Sequence, residues 1–246
     1  MSNTPSADIE FFWDPVCPFA WITSRWVEKV VAQSDYSVDW RFISLRLINK
    51  AKDYDTEFPA GYEHGHNAGL RMLRVAARVR DELGPEPIGN LYTAYGDSYF
   101  SVDQASGDAA RQALGSVDAV AACLRTADLD PAYAETVDDT SWDELLDAET
   151  DLALSRTGRD VGTPIITFQP PDGLSFFGPV ISRVPSDQDA LPLWEAVTTL
   201  ARFPGFAEMK RSLRESPQLA VHGGVMESPV MEDWKGGHRA GHLPSD

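Results

Sequence analysis

The first patterned stretch of the chain, Ile9-Glu10-Phe11-Phe12-Trp13, is short, apolar and aromatic, as a buried strand requires. Asp14-Pro15-Val16 breaks it, and Cys17-Pro18 opens the next element, where a proline suits a first helical turn. From Phe19 through Trp21, Ile22, Trp26, Val27, Val30 and Val31, apolar residues recur at helical intervals and predict a helix over about 18–32. Val38, Trp40 and Phe42 then alternate with Asp39, Arg41 and Ile43, which predicts a second strand. Strand, helix and strand in this order imply a parallel pair, and hence an α/β fold.

Residues 59–156 lack a strand pattern but carry helical runs over 69–83, 88–99, about 109–125 and 142–156, so this part reads as a helical insertion. Past Gly162, the β-branched Ile165-Ile166-Thr167-Phe168, the turn-rich Gln169-Pro170-Pro171-Asp172-Gly173 and residues 174–177 predict an antiparallel hairpin. A last helix fits 191–201, with a further helical turn near 206–213. The stretch from 219 to 246 is dense in glycine, histidine, proline and charge and is expected to be disordered.

Composition narrows the chemistry. The net charge of −17 repels phosphate backbones and anionic headgroups, so neither nucleic acid nor a membrane is an expected partner. Residues 1–8 lack the charge and apolar run of a signal peptide, and no window reaches the length of a membrane span, so the expected location is the cytoplasm. Two cysteines, Cys17 and Cys123, are too few for a disulfide framework or a cysteine zinc site, although one bond between them stays open. Cys17 lies at a strand-to-helix turn. A free thiol has a pKa of about 8.5, and the start of a helix lowers it to roughly 3.5–7.5, so Cys17 is expected to be an ionised catalytic nucleophile.

Cys123, in the apolar run Val120-Ala121-Ala122-Cys123-Leu124, reads as core. His64 and His66 have no further matching ligands, so no metal is expected. Without a Gly-x-Gly-x-x-Gly after a strand, no nucleotide cofactor is indicated. Arg71, Arg74, Arg78 and Arg80 form a basic stripe, read as a solvated face with the option of drawing an anionic thiol or an acidic partner.

The run from Phe12 to Trp26, with Asp14-Pro15-Val16-Cys17-Pro18-Phe19-Ala20-Trp21 at its centre, resembles the active-site strand, turn and helix of the DsbA-like thioredoxin-superfamily proteins. Within these it is most similar to the mycothiol-dependent nitroreductase and disulfide reductase group. Val161-Gly162-Thr163-Pro164 resembles the group's cis-proline loop, and Phe176-Phe177-Gly178-Pro179-Val180 a third segment. The resemblance implies a thioredoxin-like fold with a large α-helical insertion. Residues 9–58 would form its first half, 59–160 the insertion and 161–218 the second half, followed by the 219–246 tail. It also implies catalysis by Cys17, with Pro18, Phe19, Trp21, Thr163 and a cis Pro164 binding the substrate or thiol.

One departure matters. The second motif cysteine is replaced by Ala20, so no internal active-site disulfide forms, and a mixed disulfide needs an outside thiol, mycothiol or a redoxin partner, to release it. A monothiol oxidoreductase acting on disulfides, nitroaromatics or quinone-like compounds is the first expectation, with no tightly bound cofactor. The alternatives are a thiol-cofactor-dependent transferase or isomerase, resembling kappa-class glutathione transferases and hydroxychromene carboxylate isomerases, and a non-catalytic peptide-binding module.

Overall fold

The structure is a computed structural model that describes residues 7–235 and 238–242. Its first strand, β1 (Ile9–Trp13), is buried at every position, as a central strand covered on both faces must be. The helix α1 (Pro18–Gln33) follows, then β2 (Val38–Phe42), which lies parallel to β1 with Ile9 opposite Val38 and Trp13 opposite Phe42.

A helical stretch comes next: two short turns, α2 (Leu45–Ile48) and α3 (Tyr54–Glu57), then α4 (Tyr62–Leu83), α5 (Ile88–Phe100), α6 (Gly107–Ala113), α7 (Val117–Thr126) and α8 (Asp143–Thr157). The strands β3 (Ile165–Phe168) and β4 (Ser175–Phe177) and the helix α9 (Asp187–Ala201) complete the sheet unit. Its order is β2-β1-β3-β4, with β3 antiparallel to β1 and to β4. This β-α-β, β-β-α topology, interrupted by helices, is a thioredoxin-like fold with a large α-helical insertion.

The period of two along β1 assigns its side chains to two cores. Ile9, Phe11 and Trp13 join the large cluster shared with α1, α4, α5, α7 and α9, while Phe12 packs with Ile43, Ile165 and the α8 residues Ala153 and Leu154. Aromatic packing locks the insertion to the sheet. Trp13 stacks on Tyr92 of α5 at 4.1 Å between ring centres. The Trp21 ring lies so close to Gly96 that any Cβ there would sit 2.1 Å from it, so only glycine fits.

Two helices begin earlier than expected, α4 at 62 and α9 at 187, and the structure differs more deeply from the sequence reading in three places. The single helix expected over 109–125 is two, because Gly115 adopts a left-handed φ of +70° and Ser116 caps a new helix. Near 206–213 there is no helical turn; Leu213–Glu215 is instead a strand, β5, pairing antiparallel with β6 (Met231–Lys235), which pairs with β7 (His238–His242). The region beyond 219, expected to be disordered, therefore carries a small sheet. Its anchors include Leu219 and Val221, buried in the large core, the Gln218 N–H, which donates to the Ser182 carbonyl, and the Gln218 amide oxygen, which accepts from the Met226 N–H. Two apolar residues in a glycine-rich run are too weak a pattern to read in advance. Among the described residues no helix is long and apolar enough to cross a membrane.

Candidate active site

The chain leaves β1 at Trp13 and turns at Asp14, whose carboxylate accepts the Val16 N–H at 2.9 Å and the Leu45 N–H at 2.7 Å. These bonds tie the turn to the start of α2. Cys17 is the N-cap of α1, and its sulfur accepts the Ala20 N–H at 3.4 Å. The thiol in turn donates to the Thr163 carbonyl, also at 3.4 Å. Thr163 is fixed by its hydroxyl, which donates to the Phe12 carbonyl at 2.9 Å, and the Thr163–Pro164 bond is cis.

The geometry expected of Cys17 is present, but its electrostatics are the reverse of the expectation. Burial pushes the thiol up to about 12; the Ala20 N–H opposes the rise, the Asp14 charge adds to it, and the Phe19 N–H again opposes it. Only 7% of the residue is exposed, so loss of hydration outweighs the N–H groups and dipole at the start of α1. Burial likewise raises Asp14 to about 7, against the two N–H groups it accepts.

Cys17 opens onto a cavity of about 440 Å³ between the sheet unit, the insertion and the C-terminal segment. Pro18, Phe19 and Thr163 line it; Phe19 also packs with Cys17 and Ala20 against Leu45 and Val180. Trp21, expected at the substrate, points into the core instead, stacked on Phe100 with Arg25 over its ring. Pro164 is absent from the lining, which its neighbours Gly162 and Thr163 reach.

Sequence reasoning missed several lining residues. Asn49 is 3% exposed, its amide nitrogen donates to the Leu45 carbonyl at 2.8 Å, and its amide oxygen has no partner among the described residues. His66 lies against Tyr54, whose hydroxyl meets its Nδ1 at 2.8 Å, while His64 meets the Arg111 carbonyl, so the two histidines serve separate contacts. Burial, then Arg46 and Lys52, lower His66 to about 4. The arginine stripe is not an open basic face: Arg71, Arg74, Arg78 and Arg80 pair with Asp138, Asp143, Glu82 and Glu149. Cys123 is buried in the large core, in a different cluster from Cys17.

Asp14 and His66 make an opposed pair in the pH dependence of stability. Between pH 3.8 and about 7 the folded state holds a proton on Asp14 that the unfolded chain has lost, so stability falls as pH rises. Between about 4 and 6.5 the unfolded chain holds a proton on His66 that the folded state lacks, so stability rises. In urea titrations across that window the wild-type slope from this pair is expected to cancel. Against wild type, His66→Gln should add a fall, and Asp14→Asn a rise, of up to about 1.4 kcal/mol per pH unit. Parallel profiles for all three proteins would refute the assignment.

A cysteine at the start of a helix, bonded to the backbone before a cis proline in a thioredoxin-like fold with a helical insertion, defines the DsbA-like class of thiol-dependent proteins. Within that class the chain belongs to the Rv2466c-like family, described as mycothiol-dependent nitroreductase Rv2466c, which matches residues 16–211. The uncharacterised protein Rv2286c of Mycobacterium tuberculosis (strain ATCC 25618 / H37Rv) is 30% identical over 205 residues, spanning 82% of this chain and 81% of the relative. A solved structure of 2-hydroxychromene-2-carboxylate isomerase aligns at 15% identity with a TM-score of 0.39, covering 79% of this chain and 96% of that one.

Proposed function

We propose that the protein is a monothiol oxidoreductase in which Cys17 forms a mixed disulfide with a small thiol, mycothiol by family, and reduces disulfides or nitroaromatic compounds. The observation that carries this reading is a cavity-facing Cys17 bonded between Ala20 and Thr163, with Ala20 where a resolving thiol would stand. In disulfide exchange Cys17 loses its proton and bonds to one sulfur of the substrate while the other leaves as a thiolate. A second small thiol then attacks the mixed disulfide, returning Cys17 as a thiol and leaving with the first as a disulfide. With a nitro acceptor, Cys17 and one small thiol supply two electrons and two protons, giving a nitroso product, water and the mixed disulfide, which a second thiol again resolves.

The elevated thiol sets the direction of this chemistry. A sulfur whose thiolate is penalised by burial is a strong nucleophile once ionised and a poor leaving group, so its mixed disulfide persists until an external thiol arrives. The site is built as a reductant. Exposed to mycothiol disulfide, the whole chain should gain one mycothiol, seen by intact mass, that Cys17→Ser does not gain and that added thiol removes. The rate of adduct formation should climb past about pH 9 without levelling. An unmodified protein at every pH would overturn the reading, and a plateau near neutrality would overturn the reductant character.

The protonated thiol also favours a second reading, a transferase or isomerase in which the bound small thiol is itself the nucleophile. Turnover that survives Cys17→Ser selects it.

A further inference from the structure

Arg111, in the last turn of α6, lines the cavity that holds Cys17. Its guanidinium sits against Gly61, where an added Cβ would come within 2.9 Å of Nη2, and Gly61 holds a left-handed φ of +83°. No side chain caps α4 at that glycine, although the Pro59 carbonyl accepts the Tyr62 N–H, so the positive end of the helix lies beside the cation. Among the described residues Arg111 is in no ion pair, whereas each arginine of the α4 stripe has a carboxylate. The cavity has acids of its own. Glu57 accepts the Asp53 N–H at 2.9 Å, and Glu232, from the C-terminal sheet, is buried; neither pairs with Arg111. Arg214 also lines it and donates to the Arg211 carbonyl.

The charge of Arg111 reaches Tyr99, where it partly offsets the rise that burial imposes on the phenol. The rest of the wall is rich in rings, from Phe19, Phe58, Tyr62, Phe100 and Phe177. A half-buried cation on an aromatic wall, in no ion pair among the described residues, lacks one component: an anion that compensates its lost hydration.

We propose that Arg111 is an anion subsite and that the acceptor reduced at Cys17 is a planar aromatic compound bearing a carboxylate. The guanidinium holds the carboxylate while the reducible group faces the sulfur. This inference rests on the reading of Cys17 given above and names the substrate class of that site.

Two measurements on the whole chain separate the two ideas. In the first, the Cys17→Ser protein is titrated with para-nitrobenzoate and its neutral counterpart para-nitrobenzamide, with and without Arg111→Gln. The preference for the benzoate over the amide is expected to fall about tenfold in Arg111→Gln and to return in part with Arg111→Lys, the size of one charge-assisted hydrogen bond. In the second, protein with Cys17 intact reacts with anionic dithiobis(nitrobenzoate) and neutral dithiodipyridine, and the ratio of the two rates should drop by a similar factor.

Failure of the neutral disulfide to label Cys17 at any pH defeats the thiol reading, while the benzoate-to-amide ratio still decides on Arg111. Ratios unchanged by Arg111→Gln overturn the subsite. Should that variant not fold, salt decides it: benzoate affinity must weaken with added chloride despite the net charge of −17, and affinity that rises with salt rejects the proposal.

Discussion

Ala20→Cys is expected to shorten the life of the Cys17 mixed disulfide by about a thousandfold or more, measured by intact mass after a single exposure to mycothiol disulfide. Ala20 is fully buried in the first turn of α1, and its own N–H already reaches the Cys17 sulfur at 3.4 Å. A thiol on its Cβ would stand within the same turn as the bond it must break. Attack from there is intramolecular, and well-placed intramolecular reactions reach effective concentrations far above the millimolar range of a free thiol. The variant should leave the cycle with Cys17 bonded to the introduced sulfur, and turnover should then demand a reductant able to open that disulfide. The added sulfur crowds Leu45 and Val180, at a cost of about 1–3 kcal/mol. A folded variant whose adduct lasts as long as that of the wild type would contradict the proposed monothiol cycle.

The departure at Ala20 was legible because it is a matter of residue identity at a fixed spacing. The β-α-β start and the hairpin were equally legible, since their apolar periods are strong and local. The rise in the Cys17 pKa was not. Sequence shows that a cysteine begins a helix, but the hydration it loses depends on Leu45, Val180 and the Thr163 loop, which meet it only in the fold. Asn49 and Arg111 were invisible for the same reason: their interest lies in an amide oxygen without a hydrogen bond and a guanidinium without an ion pair among the described residues, and such a lack has no sequence pattern. Trp21 was misplaced because helical phase alone does not distinguish a ring facing a cavity from one facing Gly96.

The second large effect concerns stability. Glu149 of α8 accepts the Phe42 N–H at 3.0 Å, holds Arg80 of α4 at 2.6 Å and lies 3.2 Å from Arg41 of β2. One carboxylate thus joins the sheet, the long helix of the insertion and the helix that covers the second core. Glu149→Ala is expected to cost about 3–5 kcal/mol, the usual penalty of leaving the partly buried Arg80 guanidinium and the buried Phe42 N–H without their partner. For a chain of this length that lowers the melting temperature by about 10 °C. Arg41 loses less, since Asp39 at 3.4 Å and Glu10 at 3.9 Å still face its guanidinium. Arg159→Ala, which removes the exposed pair with Asp151, serves as the comparison and should cost no more than about 1 kcal/mol. Equal losses in the two variants, by calorimetry or urea midpoint, would show that Glu149 does not carry this role.

The cavity wall that includes Arg214, Ser216, Pro217, His222 and Glu232 lies beyond the part of the chain that the family covers. During synthesis the sulfur of Cys17 emerges from the ribosome roughly 200 residues ahead of that wall. A nascent chain therefore carries the Cys17 thiol open to solvent until Leu45, Thr163 and Val180, the residues that bury it in the fold, have been made. Oxidative damage to this protein should fall hardest on newly made copies.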